Sequence, residues 1–372
     1  PGVPIDHEYV LKAKKLGIEV INEVEMAYRL IREKHKIKLI AVTGSNGKTT
    51  TTTLIYNILK QQKNNVHLAG NIGYPLSGFI DKIKENDILV MEISCQQLEN
   101  LTEFKPDIAV MTNITEAHID FMKTYEHYKY VKSKLLQNQT KEDIAIINKE
   151  SKDLLEITQN AKSTKKYYSK NQIIKGCYIK EDAIYYYDEK IIDLKDIKLR
   201  GAHNYENIMA AIMATKELKS TNEEIKKVLT TFMGVEHRLE YVNTVNKRTF
   251  YNDTEATNIK CTQIALSSFK EPTIIILGGL ERGQNFDDLK PYIKNVKAIL
   301  AIGECRKRVV EFAKKNHKQV YEYEHLKDAT KKAYEISDEN DIILLSPASA
   351  SWDQYKQCED RGDEFKNIVN NL

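Results

Sequence analysis

The sequence lacks several features that would assign it to a special class of protein. Its five cysteines show no C-x-x-C spacing, so we expect neither a zinc site nor a disulfide framework. No apolar run reaches the roughly 20 residues that cross a bilayer, and no segment resembles a signal peptide. The formal net charge is only +3, which gives no argument for nucleic acid or an anionic membrane as a partner. We therefore expect a cytoplasmic protein that binds neither nucleic acid nor a membrane.

The length predicts more than one domain. A chain of 372 residues exceeds the usual size of a single hydrophobic core. The first 36 residues predict a helix at 6–16, a strand at 18–21 and a helix at 23–33. This segment is below the roughly 50 residues of an independent domain. We interpret residues 1–36 as the remnant of an N-terminal domain.

After residue 37, apolar strands alternate with amphipathic helices. Such a pattern predicts an α/β fold with mostly parallel sheets. Strands are predicted at 37–43, 66–69, 87–93, 107–112 and 143–147, with helices at 48–62, 124–138, 203–218 and 222–231. Residues 165–200 alternate and predict a small antiparallel sheet or hairpins. We expect a central domain at 37–235 and a second doubly wound domain at 236–372, with strands near 248–252, 273–277, 298–302 and 341–345.

The most informative segment joins the first of these strands to the following helix. Residues 43–50 read TGSNGKTT, a glycine turn followed by Lys48, Thr49 and Thr50. Backbone N–H groups in such a turn bind phosphate oxygens, and the helix N-terminus adds partial positive charge. The strict G-x-x-x-x-G-K-S/T pattern fails because Val42 replaces its first glycine. The segment still predicts a site for a nucleoside triphosphate.

Polar residues follow three neighbouring predicted strands, at 70–73 (GNIG), 92–97 (EISCQQ) and 112–118 (TNITEAH). The carboxyl ends of parallel strands meet at one edge, where ligands bind. Phosphate-bound Mg²⁺ needs only one or two protein carboxylates. Glu92 is therefore the candidate metal ligand, with a helix-capping or solvated carboxylate as the alternative. His118 is a candidate second ligand or orienting group, although a single histidine is more often structural.

The last domain carries two further turns of interest. Residues 278–283 follow a strand and contain Arg282, whose guanidinium suits a carboxylate. Residues 346–351 follow the last predicted strand, and we expect them to open a helix with an anion-binding N-terminus. Two ordinary turns with helix caps remain the alternative.

Taken in order, these motifs resemble those of the Mur ligases of peptidoglycan synthesis, over essentially the whole chain. Further matching segments are 203–207 (HNYEN), 236–238 (EHR) and 252–253 (ND). Segments 345–355 (LSPASASWDQY) and 361–365 (RGDEF) resemble the members that add D-glutamate to UDP-N-acetylmuramoyl-L-alanine. The resemblance implies a P-loop ATPase-like central domain and a Rossmann-like C-terminal domain that binds the amino acid. It also implies that residues 1–36 are the remnant of a Rossmann-like, UDP-binding domain.

The resemblance implies ATP, two Mg²⁺ ions and a carbamylated lysine as cofactors. The catalytic residues would be Lys48, Glu92, His118 and the modified lysine, with Thr49 as an additional metal ligand. The family spacing after His118 places the carbamate at Lys132, with Lys134 as the nearby competitor. A carbamate requires a neutral amine and gives an anionic oxygen ligand that suits Mg²⁺.

The remaining site residues are also implied by the resemblance. Gly44, Asn46, Gly47 and Thr50 would hold the phosphates, and Asn207, Arg238 and Asp253 would hold the rest of ATP. Asn71, Ser94 and Gln97 would contact the muramoyl-alanine part. Arg282 and Thr257 would bind one carboxylate of D-glutamate, and Ser351 and the backbone of Cys358 the other. We expect a monomer.

Four residues depart from the family pattern. Glu255 replaces the usual lysine, Cys95-Gln96 replaces Ser-Phe, and Cys358 replaces an aromatic residue. Two alternatives to the D-glutamate ligase therefore stay open: a Mur or folylpolyglutamate-type ligase with another amino acid or acceptor, and a non-catalytic nucleotide-binding module. We expect the 372-residue chain alone to bind ATP but to ligate weakly or not at all, because most of the uridine site would be missing.

Overall fold

The computed structural model describes residues 3, 5–62, 65–116, 119–199 and 201–372, without the side chains of residues 119 and 120. Two compact units divide the chain. The first comprises Pro1–Lys198 and Ala202–Phe232, and the second comprises Leu199–Gly201 and Met233–Leu372. None of the helices in the described ranges is both long and apolar enough to cross a membrane. The assignment of three functional domains stays a prediction.

The first unit is built on one nine-stranded sheet. Its strands are β1 (Lys38–Thr43), β2 (Val66–Gly70), β3 (Ile88–Glu92), β4 (Ile108–Met111), β5 (Ile144–Asn148), β6 (Thr164–Ser169), β7 (Gly176–Lys180), β8 (Ala183–Tyr186) and β9 (Glu189–Asp193). Its helices are α1 (Glu8–Lys15), α2 (Glu23–Lys34), α3 (Lys48–Lys60), α4 (Cys95–Glu99), α5 (Ile119–Met122), α6 (Tyr125–Ser133), α7 (Lys152–Thr158), α8 (Asn204–Glu217) and α9 (Asn222–Leu229).

The strand order is β2-β3-β1-β4-β5-β6-β7-β8-β9. Strands β3 and β4 are buried along their whole length, as apolar central strands of a parallel sheet should be. Pairing is parallel as far as β7 and antiparallel from β7 to β9. The antiparallel segment predicted within 165–200 therefore exists, but it extends the main sheet rather than forming a separate one. Because β1 lies between β3 and β4, the loops after these three strands meet at one edge.

The predicted strand at 18–21 is wrong. Gly17 has a φ of 73°, and the backbone N–H of Ile18 donates to the carbonyl of Ala13 at 3.0 Å. A glycine in the left-handed conformation commonly ends a helix in this way. The apolar residues that follow belong to the turn and loop after α1 and not to a strand. Helix α2 then packs against the rest of the first unit. Its buried Glu25 carboxylate accepts hydrogen bonds from the backbone N–H groups of residues 102–104.

The second unit is a six-stranded sheet of order β10-β11-β15-β12-β13-β14. Its strands are β10 (Glu240–Val245), β11 (Arg248–Asn252), β12 (Thr273–Gly278), β13 (Val296–Ile302), β14 (Gln319–Glu322) and β15 (Ile342–Leu345). Its helices are α10 (Ile259–Ser267), α11 (Arg306–Lys315), α12 (Leu326–Glu335) and α13 (Cys358–Val369). All strand pairs are parallel except β10 with β11.

The expectation that residues 346–351 open a helix is also wrong. Helix α13 begins only at Cys358. Ala348 has a φ of 56°, outside the helical region, so the chain after β15 forms an irregular loop. Since β11, β15 and β12 are parallel neighbours, the loops that follow them lie side by side.

Candidate active site

The turn after β1 requires glycine at two positions. Gly44 has a φ of 152°, and a Cβ built on it would lie 2.0 Å from Thr112 Oγ1. Gly47 has a φ of 79°, and a Cβ there would lie 2.1 Å from Asn207 Oδ1. A side chain at either position would therefore be strained and would clash. The glycines let the backbone turn tightly into α3, as a phosphate-binding loop requires.

The segment after β4 fixes the shape of this loop. The backbone N–H of Asn46 donates to Asn113 Oδ1 at 2.9 Å, and Thr112 Oγ1 donates to the carbonyl of Asn46 at 2.6 Å. Lys48 Nζ donates to the carbonyl of Ser45 at 3.0 Å. Thr49 and Thr50 are buried in the first turn of α3. The loop is thus held by side chains and by its own lysine.

Glu92 ends the strand beside β1, and its side chain is buried. Its Oε1 accepts a hydrogen bond from Asn71 Nδ2 at 2.8 Å, whereas Oε2 is buried and has no hydrogen-bond partner among the residues that the structure describes. Ser94, not Glu92, caps helix α4. A solvated or capping carboxylate is therefore ruled out. A buried oxygen without a partner is costly, and a cation at this position would satisfy it.

Lys132 lies beneath the phosphate loop with 1% of its surface exposed. Its Nζ donates to Thr43 Oγ1 at 2.9 Å and to the carbonyl of Gly44 at 3.1 Å. Burial, together with the charge of Lys48, lowers the pKa of Lys132 to about 7, and Cys95 and Glu92 oppose this shift. A substantial share of this amine is therefore neutral near pH 7.

His118 lies outside the described residues, so its predicted place beside the loop stays a prediction.

The ring of Tyr128 lies under the ammonium group of Lys132, with 5.4 Å from Nζ to the ring centroid. Its hydroxyl is 2.8 Å from Ser45 Oγ. Sequence reasoning missed Thr43 and Tyr128 as partners of Lys132. A threonine at a strand end and an aromatic residue one helical turn before the lysine were the available signals.

The residues expected to contact the muramoyl-alanine part differ in their surroundings. Ser94 and Gln97 form a reciprocal capping box at the start of α4. Asn71 is exposed and bonds to Glu92. The structure therefore brings Asn71 to the candidate metal ligand, while Ser94 and Gln97 already use their side chains locally.

The three residues expected to hold the rest of ATP divide between the units. In the first, Asn207 is buried against Gly47, and its Nδ2 donates to Asn204 Oδ1 at 2.9 Å. In the second, Arg238 donates to the carboxylate of Glu255 through Nε and Nη2. Asp253 accepts from Ser346 Oγ at 2.7 Å, and burial raises the pKa of its carboxyl to about 7.

The four residues expected at the D-glutamate pocket all belong to the second unit, three of them to the loops after β11, β12 and β15. Arg282 is exposed, and its guanidinium lies 4.7 Å above the ring centroid of Trp352. Ser351 is buried, and within the described part of the chain its Oγ has no hydrogen-bond partner. Thr257 is partly exposed, and Cys358 supplies the first N–H groups of α13. An unpaired hydroxyl and a helix N-terminus are both suited to a carboxylate.

Comparisons with known proteins agree with this organisation. The model of the Mur ligase middle domain matches residues 42–215, and the model described as Mur ligase, glutamate ligase domain matches residues 237–349. Curated relatives named UDP-N-acetylmuramoylalanine–D-glutamate ligase from Bacillus cereus (strain G9842) and Bacillus pumilus (strain SAFR-032) are each 43% identical. The matches cover 100% of this chain and 82% of each relative.

Solved structures are similar at the level of the fold. The UDP-N-acetylmuramate-alanine ligase MurC of Thermotoga maritima gives a TM-score of 0.69 at 18% identity, covering 100% of this chain and 84% of that one. The MurF ligase of Thermotoga maritima in complex with ADP also gives 0.69 at 18% identity, covering 94% and 83%.

The fold and the site define an α/β protein with a phosphate-binding loop, a buried acid beside it and a buried lysine beneath it. Proteins of this class that share 43% identity over the whole chain share a family. The chain belongs to the Mur ligase family, whose members are ATP-dependent ligases that form amide bonds.

Proposed function

We propose that this protein joins the amine of D-glutamate to the carboxylate of UDP-N-acetylmuramoyl-L-alanine, with consumption of ATP, as a step of peptidoglycan biosynthesis. The observation that carries the proposal is 43% identity, along the whole chain, to relatives named for this reaction. The phosphate loop, the buried Glu92 and the buried Lys132 support the same chemistry.

A carboxylate is a poor electrophile, so ATP first phosphorylates it to an acyl phosphate. The amine of the amino acid then attacks, and inorganic phosphate leaves. The first step brings two anions together, and concentrated positive charge stabilises it. Lys48 and the N–H groups around Gly44, Asn46 and Gly47 would bind the transferring phosphoryl group, with support from Thr50.

The donor set fits Mg²⁺, because Glu92 Oε2 is a buried carboxylate oxygen without a partner. Thr49 and Glu92 would hold one ion, and His118 with a carbamate on Lys132 would hold a second. Bound Mg²⁺ would neutralise phosphate charge and orient the reacting oxygens. We propose that the site binds two Mg²⁺ ions and not one.

The surroundings of Lys132 support it as the carbamylated residue. CO₂ reacts with a neutral amine, and burial lowers the pKa of Lys132 to about 7. Lys134, the competitor, is less buried, and its Nζ donates to the carbonyl of Glu99 at 2.5 Å. Burial also lowers the pKa of Lys134, but only Lys132 is bonded to the phosphate loop.

The substrate contacts follow the resemblance. Asn71, Ser94 and Gln97 would contact the muramoyl-alanine part, and Asn207, Arg238 and Asp253 would hold the adenosine and a phosphate of ATP. The amino acid would be bound by Thr257, Arg282, Ser351 and the backbone of Cys358, for which the unpaired Ser351 Oγ is the main structural support. We propose domain roles of UDP binding for 1–36, ATP binding for 37–235 and amino-acid binding for 236–372. We also propose a monomer in the cytoplasm.

The test is phosphate release by the full-length protein with ATP, Mg²⁺, UDP-N-acetylmuramoyl-L-alanine and a panel of amino acids. We expect release that depends on D-glutamate and exceeds release with L-glutamate, D-alanine or L-lysine by at least about 100-fold. If another amino acid gave equal or greater phosphate release, D-glutamate would not be the preferred substrate. ATP binding without release under any condition would favour the non-catalytic module.

A further inference from the structure

Arg361, in α13, is the largest fully buried side chain of the described residues, with 1% of its surface exposed. Its Nε donates to Thr254 Oγ1 at 3.0 Å, and its Nη2 donates to the carbonyls of Thr254 and Ser349 at 3.0 Å. Its Nη1 donates to the carbonyl of Ala350 at 3.5 Å. One guanidinium therefore ties the loop after β11 to the loop after β15.

The turn after β12 joins the same cluster. The backbone N–H of Leu280 donates to the carbonyl of Ala350 at 2.9 Å. A Cβ built on Gly279 would lie 2.3 Å from the carbonyl oxygen of Ala350 and 3.0 Å from Arg361 Nη1. Arg361 thus bonds to the loops that carry Thr257 and Ser351, and the loop that carries Arg282 is joined to this cluster through Ala350. Cys358 lies one turn earlier on the same helix as Arg361.

Arg361 forms no direct ion pair with an acid of the described residues, although the carboxylate of Asp353 acts on it from a longer distance and opposes the lowering of its pKa. No carboxylate in the described ranges lies within 4.0 Å of its nitrogens, and its direct partners are carbonyls and one hydroxyl. Burial lowers the pKa of Arg361 to about 10, so the side chain stays protonated at neutral pH. A buried charge without a directly bonded counterion costs stability and is retained only where something offsets that cost.

We propose that Arg361 is a positioning residue for the amino-acid pocket: it holds the three binding loops in register and supplies positive charge that favours an amino acid with two carboxylates. The inference rests on the proposed function and deepens it. Ser351 directly follows Ser349 and Ala350, whose carbonyls accept hydrogen bonds from Arg361, so its position depends on these bonds. The unpaired Ser351 Oγ, next in sequence to Ala350, agrees with a loop held ready for a ligand.

The main experiment compares Arg361→Met, Arg361→Lys and the matched control Arg248→Met. Arg248 also donates to backbone carbonyls of the second unit, but it lies at the opposite end of β11. We expect Arg361→Met to raise KM for D-glutamate at least about 30-fold, and Arg361→Lys about 10-fold, with KM for ATP within about 3-fold of wild type. Arg248→Met should lower the melting temperature and leave both KM values unchanged.

A second pair of variants decides the question if Arg361→Met does not fold. Thr254 Oγ1 accepts from Arg361 and donates to the carbonyl of Cys358 at 2.8 Å. Thr254→Val removes these two hydrogen bonds at nearly constant volume, whereas Thr254→Ser keeps them. We expect Thr254→Val to raise KM for D-glutamate about 5- to 10-fold and Thr254→Ser to stay within about 2-fold of wild type.

Failure of this inference is distinct from failure of the proposed function. If the wild-type protein prefers another amino acid, the proposed function is wrong, and KM is then measured for the preferred amino acid. The inference itself is overturned if Thr254→Val and Arg361→Lys keep the wild-type KM for that amino acid. It is equally overturned if KM for ATP rises in parallel, because the defect would then be global.

Discussion

Each of the two units contains a fully buried cationic side chain, and burial has different consequences for the charge of the two. Lys132, below the phosphate loop, has its pKa lowered to about 7 and loses much of its charge near neutral pH. Arg361, among the loops of the second unit, has its pKa lowered only to about 10 and keeps its charge. Both side chains donate hydrogen bonds to hydroxyl and carbonyl oxygens.

The difference follows from the two functional groups. A lysine ammonium is a compact, strongly hydrated charge that deprotonates when it is desolvated, whereas the guanidinium is delocalised and stays protonated. A deprotonated amine can react with CO₂, so burial at Lys132 creates chemical reactivity. Burial at Arg361 instead creates a permanent positive charge with fixed geometry. Under the proposed function, the same unfavourable desolvation would serve chemistry in one unit and architecture in the other.

Replacing the buried lysine by arginine is expected to have the largest effect on activity. Lys132→Arg keeps a positive charge but cannot form a carbamate, and its planar head does not match the bonds to Thr43 and Gly44. We expect D-glutamate-dependent phosphate release to fall at least about 1,000-fold. The matched control is Lys134→Arg, which should stay within about 3-fold of wild type. A Lys132→Arg protein with more than about a tenth of wild-type activity would contradict the carbamate.

The protonation of Lys132 also predicts a pH-dependent stability. The ordinary lysine pKa is 10.5 and the folded value is about 7, so between these values the unfolded chain holds a proton that the folded chain lacks. The free energy of unfolding contributed by this group therefore rises with pH across that window. Lys132→Met lacks this term, so it should be more stable than wild type by a few kcal/mol at about pH 6, with a smaller advantage at about pH 9. Thermal melts in CO₂-depleted buffer measure it, and an advantage that grows with pH would contradict the buried-amine account.

Glu255 predicts a moderate effect on ATP. Its carboxylate is bonded to Arg238, a residue proposed to bind a phosphate of ATP, and it would compete for the same guanidinium. The pair is partly exposed, so its strength is limited. We expect Glu255→Gln to lower KM for ATP about 2- to 5-fold. Glu339→Gln, which removes an exposed ion pair with Lys247 in the same unit, is the control and should leave KM unchanged. An unchanged or raised KM in Glu255→Gln would argue against this competition.

The smallest expected effect concerns the contact of Arg282 with Trp352. A cation–π contact at an exposed site contributes about 0.5–1 kcal/mol, which corresponds to about 2- to 5-fold in KM for D-glutamate. Trp352→Ala should show that increase, and Trp352→Phe should keep most of the wild-type value. Equal KM values for wild type and Trp352→Ala would mean that Arg282 needs no aromatic support.

Much of the fold was predictable because its central strands are apolar and β-branched. Strands β1, β3, β4 and β5 and helices α3 and α6 lie within a few residues of their predicted positions, whereas the short helices α4 and α5 were not predicted. The sequence did not reveal β10 and β14, because edge strands are polar on their exposed sides. It misassigned 18–21, where the closing turn of α1 overrides local β propensity.

The site was predictable only at the level of which residues stand at strand ends. Glu92 and Lys48 follow from that rule. The contact of Asn207 with Gly47 and the three loops around Arg361 could not be predicted from the residues alone, since both join segments that are distant along the chain. Lys132 was identified by resemblance, and its burial and lowered pKa became visible only in the structure.

Trp352 is the sole tryptophan of the chain, and it stands next to Ser351 and under Arg282. The intrinsic tryptophan fluorescence of the protein therefore comes from this one loop, since no other residue of the chain carries an indole. Selective ultraviolet excitation of the unlabelled protein can follow events at the proposed amino-acid pocket in real time, separately from events at the proposed nucleotide site in the first unit.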